Sequence, residues 1–114
     1  MRRSIIPFVI AVILCFGCTK DIGYLPFCDK NPSTYNAVIK PIIDQKCSGP
    51  YCHHDGSYFG DLTSFVGLKE KIDKGTFKTM VYDNKIMPPS SFDQLTEDEY
   101  KKIKCWLDDG APQN

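Results

Sequence analysis

Lys46-Cys47-Ser48-Gly49-Pro50-Tyr51-Cys52-His53-His54 places a histidine directly after the second of two cysteines. Covalent attachment of haem needs that order: two thiols join the vinyl groups of the porphyrin, and the adjacent histidine turns in to the iron. The usual motif has two residues between the cysteines. Here there are four, and Gly49-Pro50 is turn chemistry that lets the extra residues bulge outward. On this reading Cys47 and Cys52 attach haem and His53 is an axial ligand. His54 is left for a surface or carboxylate hydrogen bond, because its neighbour already occupies the iron.

The first residues read as an export leader over 1–17. Met1-Arg2-Arg3 is basic, residues 5–16 are almost wholly apolar, and Gly17 is small. The apolar run falls short of the roughly 20 residues that a bilayer span requires. Leu14-Cys15-Phe16-Gly17-Cys18 resembles the end of a bacterial lipoprotein signal, which makes Cys18 a lipidated N-terminus and 18–32 a tether. The other reading is a plain secretory leader with Cys18 incidental. An uncleaved anchor is a further alternative; all put the body of the chain, 33–114, outside the cytoplasm, and the lipoprotein reading holds it by lipid at the periplasmic or cell-surface face of a bacterial membrane. In an oxidising compartment Cys28, Cys47, Cys52 and Cys105 are all expected to be used. If Cys47 and Cys52 take haem, Cys28 and Cys105 remain as a disulfide near the ends of the domain. If no haem binds, all four form disulfides, and sequence permits three pairings.

The 14 basic residues balance 14 acidic ones over 114 residues. Losing Arg2 and Arg3 with the leader leaves the remainder slightly acidic and free of arginine. That balance argues against nucleic acid as a partner, since phosphate neutralisation needs a basic face. Anionic groups of a cofactor then have to be met by Lys, Tyr, Trp, His or backbone N–H groups.

Tyr35, Val38, Ile39, Ile42 and Ile43 recur on one helix face, with Ser33 or Thr34 as N-cap. Pro41 either kinks that helix or opens a second one that runs to Cys47. A middle helix is expected over 64–73, with Thr63 as its cap and Gly75 past its end. Met80 is read with Phe77 and Val81 as core. The last helix is the clearest. Thr96-Glu97-Asp98-Glu99 is a capping box, Leu95 and Tyr100 stand at staple positions, and Ile103, Trp106 and Leu107 form the buried stripe. Gly110 and Pro112 end it. Trp106 and Tyr100 are assigned to core packing rather than to carboxylate binding. With no alternating strand pattern, the fold class is all-α, in one small helical domain.

Ile86-Met87-Pro88-Pro89 is extended, because a residue before proline is kept out of the α region. Such a segment presents Met87 as the second axial ligand, which raises the reduction potential relative to two histidines. Zinc is the weaker reading. Cys47, Cys52 and one histidine supply three ligands, but no second cluster follows at finger spacing.

Ile39-Lys40-Pro41-Ile42-Ile43, the cysteine-histidine site, Met87-Pro88-Pro89, Leu95-Thr96 and Ile103-Lys104-Cys105-Trp106-Leu107-Asp108-Asp109-Gly110-Ala111-Pro112 together resemble the small cytochrome c-like lipoproteins of Bacteroidetes-type bacteria. The resemblance spans residues 35–114. It implies a cytochrome c fold wrapped around one covalent haem c, with Cys47 and Cys52 in the thioether positions, His53 proximal and Met87 distal. It also implies single-electron transfer between redox partner proteins of the cell envelope, not enzymatic turnover, with the membrane reached through lipid on Cys18. Two other classes compete. One is a haem-free, disulfide-stabilised envelope lipoprotein with a binding or assembly role; the other is a peroxidase-like enzyme with an open distal iron position.

Overall fold

The computed structural model describes residues 26–114. The leader, Cys18 and most of the tether lie outside the described residues. Regular structure among the described residues is helical throughout, with no strand, as an all-α class requires. α1 (Pro26–Lys30) falls at the end of the segment read as a tether. It packs on the last helix, to which a disulfide joins it. Cys28 and Cys105 are 77 residues apart in sequence, with Cα atoms 5.5 Å apart.

A π-helical turn, Tyr35–Ile39, runs directly into α2 (Lys40–Lys46). Pro41 lies in the first turn of α2, but α2 continues directly from the π-helical turn, so the missing N–H interrupts the ladder within one helix just after the Lys40 N–H has bonded Tyr35 O. The chain stays helical through the proline and changes its winding just before it. Thr34 occupies the N-cap position but makes no side-chain cap bond. Asn114 does that work instead, accepting from the Tyr35 N–H through Oδ1 at 3.0 Å and from the Asn36 N–H through its carbonyl at 2.9 Å. The orphan donors of a helix start are thus satisfied from the far end of the chain.

α3 (Phe65–Asp73) is capped by Ser64, whose Oγ accepts from Gly67 N. Thr63, the expected cap, is engaged elsewhere: its N–H and hydroxyl both donate to Asp61 Oδ1, at 2.7 and 2.6 Å. These bonds hold the Asp61 carboxyl below its usual range. The first turn of α3 lies against the Asp61 carbonyl so closely that a Cβ on Gly67 would fall 1.9 Å from its oxygen. Gly67→Ala is therefore expected to destabilise the fold by about 3 kcal/mol, despite a helix-propensity gain of about 1 kcal/mol. Urea unfolding checks this, and a variant as stable as the wild type would contradict the close approach.

α4 (Thr76–Lys78) follows Gly75, whose φ is 75°, and continues into a π-helical turn, Thr79–Asp83. α5 (Glu97–Asp108) carries both bonds of its capping box, Glu99 N to Thr96 Oγ1 and Thr96 N to Glu99 Oε2. The core gathers around Trp106, which is fully buried with Ile39, Ile43, Leu68 and Ile103. Its ring stacks on Tyr35 at 5.9 Å, and its Nε1–H donates to the Pro112 carbonyl at 2.9 Å. Pro112 is brought there by the turn that ends α5, with Gly110 at φ 89°. Among the described residues no helix is long and apolar enough to cross a membrane.

Candidate functional site

α2 delivers Cys47 as its C-cap, with the Cys47 N–H donating to Ile43 O at 2.8 Å. Cys52 N then donates to Gly49 O at 2.9 Å, closing a turn with Pro50 at the position its ring favours. His53 N donates to Cys47 O at 3.0 Å. These bonds fold the four extra residues into a loop whose tip, Pro50 and Tyr51, is exposed. Cys47 and Cys52 are free thiols, and both line the same cleft as His53.

His53 is oriented from outside the motif. Its Nδ1 lies 3.1 Å from the Gly60 carbonyl. A carbonyl only accepts, so Nδ1 is the donor of this pair, and in the neutral ring Nε2 is then the nitrogen with the free lone pair. A backbone partner on the far ring nitrogen is also what fixes the tautomer of a metal-binding histidine. His54 lies outside this cleft, with Nδ1 2.7 Å from the Asp55 carbonyl.

The cleft has a volume of about 410 Å³ and is lined by several separate parts of the chain, α3 among them through Lys71. Cys47, Cys52 and His53 come from the loop after α2, Met80 and Val81 from the π-helical turn, and Met87 and the two prolines from the segment before α5. Met80 is a correction to the sequence reading. It is 38% exposed and faces the cleft, while Phe77 and Val81 are buried; the wider winding of Thr79–Asp83 breaks the register that would have put all three in the core. Met87 is half-buried and packs against the core cluster. The two methionines are tied through their backbones, since the Met80 carbonyl accepts from Ile86 N at 3.0 Å and Met87 N at 3.2 Å.

Three aromatic side chains at the cleft are left open to solvent: Tyr51 at 83%, Phe59 at 61% and Phe92 at 45%. Contiguous exposed apolar surface of this kind marks a ligand groove or an interface. Two lysines also line it. Lys46 is ion-paired with Asp93 at 2.6 Å, whereas Lys71 has no ion pair among the described residues. The Lys71 side chain lies over Gly60, where a Cβ would fall 2.8 Å from its Cε. Trp106 and Tyr100 do not line the cleft. The indole is committed to Pro112, and the Tyr100 carbonyl accepts from Tyr82 Oη at 2.6 Å.

Protein-family models, curated proteins and solved structures show no match to this chain. The chemistry of the site is accordingly read from its own residues. Among the described residues no three His, Cys, Asp or Glu side chains gather to hold a metal ion. Gly60, Lys71, Phe59 and Phe92 were missed in the sequence. Gly60 had the one available signal, a glycine in the loop after the motif, and the others carry none.

Burial, with the charges of Cys52 and Glu99 nearby, pushes the Cys47 thiol up to about 12. The thiol is thus protonated at neutral pH. The folded chain holds this proton more tightly than the unfolded chain does. The associated stability is complete below the unfolded thiol value and is lost as pH rises towards 12. In the haem-free chain the expected loss is about 1.4 kcal/mol per pH unit above pH 9. Tyr35 and Tyr82, both raised chiefly by burial, act in the same direction at still higher pH. Urea unfolding at pH 8 and 10 measures the slope, and Cys47→Ser should flatten it between those values.

Proposed function

We propose that the chain is a membrane-tethered monohaem c-type cytochrome that passes single electrons between proteins of the cell envelope. The observation that carries this reading is the convergence of Cys47, Cys52, His53 and Met87 on one apolar cleft. The cleft falls within the range of cofactor-sized sites, ~300–1,000 Å³.

The donor set fits a covalent haem. It offers two free thiols, an imidazole with its Nε2 lone pair available and a thioether, set among apolar walls. Cys47 and Cys52 would hold the porphyrin edge, His53 and Met87 the iron. When bound, the haem supplies a one-electron iron couple whose potential depends on its axial ligands and on burial. The remaining work belongs to the chain. Gly60 O holds the His53 proton on Nδ1. Leu62, Phe77 and Val81 exclude water from the inner part of the cleft. In a domain without arginine, Lys71, which has no ion pair among the described residues, is the cation at hand for a cofactor carboxylate. The rim aromatics Tyr51, Phe59 and Phe92 would gain a partner for surface that is otherwise open.

The haem-free alternative pairs Cys47 with Cys52. Both readings are tested by expressing the full chain in a host that matures c-type cytochromes and extracting with acidified organic solvent. Wild-type protein is expected to keep its haem, and the Cys47→Ala, Cys52→Ala double variant to surrender all of it. Complete extraction from the wild type would overturn the reading.

A further inference from the structure

Lys46 immediately precedes Cys47, yet its side chain, only 6% exposed, reaches away to the segment before α5. Its ammonium donates to Asp93 Oδ2 at 2.6 Å and to the Gln94 carbonyl at 3.0 Å, with Glu99 Oε2 at 3.8 Å. That Glu99 oxygen also accepts the Thr96 N–H of the capping box, so the lysine is moored to the start of α5 as well. Gln94 extends the connection with its own side chain. Its Nε2 lies 2.8 Å from Pro89 O, 2.9 Å from Phe92 O and 3.3 Å from Pro88 O. Three carbonyls around one amide group require the nitrogen to face them, because carbonyls only accept. The bonds make an unbroken path from the residue before the first thiol to the two prolines after Met87.

From this path the geometry points to a latch: Lys46 and Gln94 are positioning residues that hold Met87 in place relative to the cysteine-histidine loop. Beyond the packing of its half-buried side chain on the core and of the buried Pro88 beside it, Met87 has a single backbone tie of its own. Its N–H is bonded to Met80 O, and beyond Pro89 the segment is exposed up to Leu95. Neither proline has an N–H with which to anchor itself. Their carbonyls are the polar groups left for fixing this segment: Pro88 O accepts from Gln94 Nε2, and Pro89 O accepts from both Gln94 Nε2 and the Phe92 N–H, the latter at 2.9 Å. Lys46 then fixes Gln94 by donating to its backbone carbonyl, with the ion pair to Asp93 beside it. This inference rests on the haem reading for its purpose, though the latch itself is a property of the polypeptide.

The test uses the full chain matured with haem. Gln94→Ala and Lys46→Met are each expected to bind imidazole at the ferric iron at least about tenfold more tightly than the wild type, because a loosened Met87 vacates its place more often. Gln94→Ala is an exposed substitution, so it stands as the test even if Lys46→Met folds poorly. Added to Met87→Ala, Gln94→Ala is expected to change imidazole affinity no further, since its effect runs through that ligand. Equal, additive effects in both backgrounds would mean a general loosening of the cleft and would overturn the latch, as would unchanged affinity in both single variants. Amide exchange gives a second readout that needs no haem. Ile86 and Met87 should exchange at least about tenfold faster in both variants, while α5 amides keep their rates. If the wild type carries no haem, the functional reading falls, and exchange at Ile86 and Met87 alone decides the latch.

Discussion

Replacing Cys28 and Cys105 together by serine is expected to lower the stability of the fold by about 4.5 kcal/mol, the chain-entropy value for a closed loop of this length. α1 is five residues long, too short to be stable by itself in water. Its docking on α5 rests on the disulfide and on a few contacts, such as the Lys101 ammonium 5.9 Å from the Phe27 ring centroid. Both sulfurs are buried, so the serines would also place hydroxyls in an apolar site. Urea unfolding reports the loss, and amide exchange should show α1 released before α5. A double variant within 1 kcal/mol of the wild type would mean that the disulfide constrains little and that the helices hold the ends together unaided.

The largest functional effect is expected at Met87. If an internal ligand holds the iron for all but about 1% of the time, an external ligand binds about 100-fold more weakly than to an open position. Met87→Ala in the haem-loaded protein is therefore expected to tighten imidazole binding about 100-fold and to abolish the low-spin ferric spectrum. Met80 faces the same cleft, which makes Met80→Ala the necessary companion. It should leave affinity within about threefold of the wild type. The reverse outcome would transfer the ligand to Met80. Tight imidazole binding by the wild type itself would mean an open iron position, and hence the peroxidase-like class.

Much of this architecture was legible where its signals are local. The capping box, the Ile103 and Trp106 stripe and the terminating Gly110 sit within one helix, and α5 follows them closely. Leaving Cys28 and Cys105 as a pair needed only cysteine counting once Cys47 and Cys52 were set aside, and those two half-cystines are joined. What escaped notice depends on contacts between distant residues. Thr34 looks like a sufficient cap until Asn114 arrives from the other end. Thr63 is a better cap by type than by circumstance, since Asp61 captures it and Ser64 takes over. Met80 follows a helical repeat in sequence, but the π-helical turn changes the repeat itself. In the site, the cysteine-histidine order and Met87 were readable as chemistry. Lys46, Gln94 and Lys71 were not, because a lysine or glutamine in a polar stretch looks the same whether it is solvated or buried against a partner 47 residues away.

Whether Cys47 and Cys52 carry haem decides the function. The measurement is the intact mass of the exported protein under denaturing conditions, taken after expression with its own leader in a host that matures c-type cytochromes. The expected result is the mass of the processed polypeptide plus one haem, with no alkylatable thiol at Cys47 or Cys52. A mass equal to the polypeptide alone, with a disulfide between those two cysteines, would contradict it.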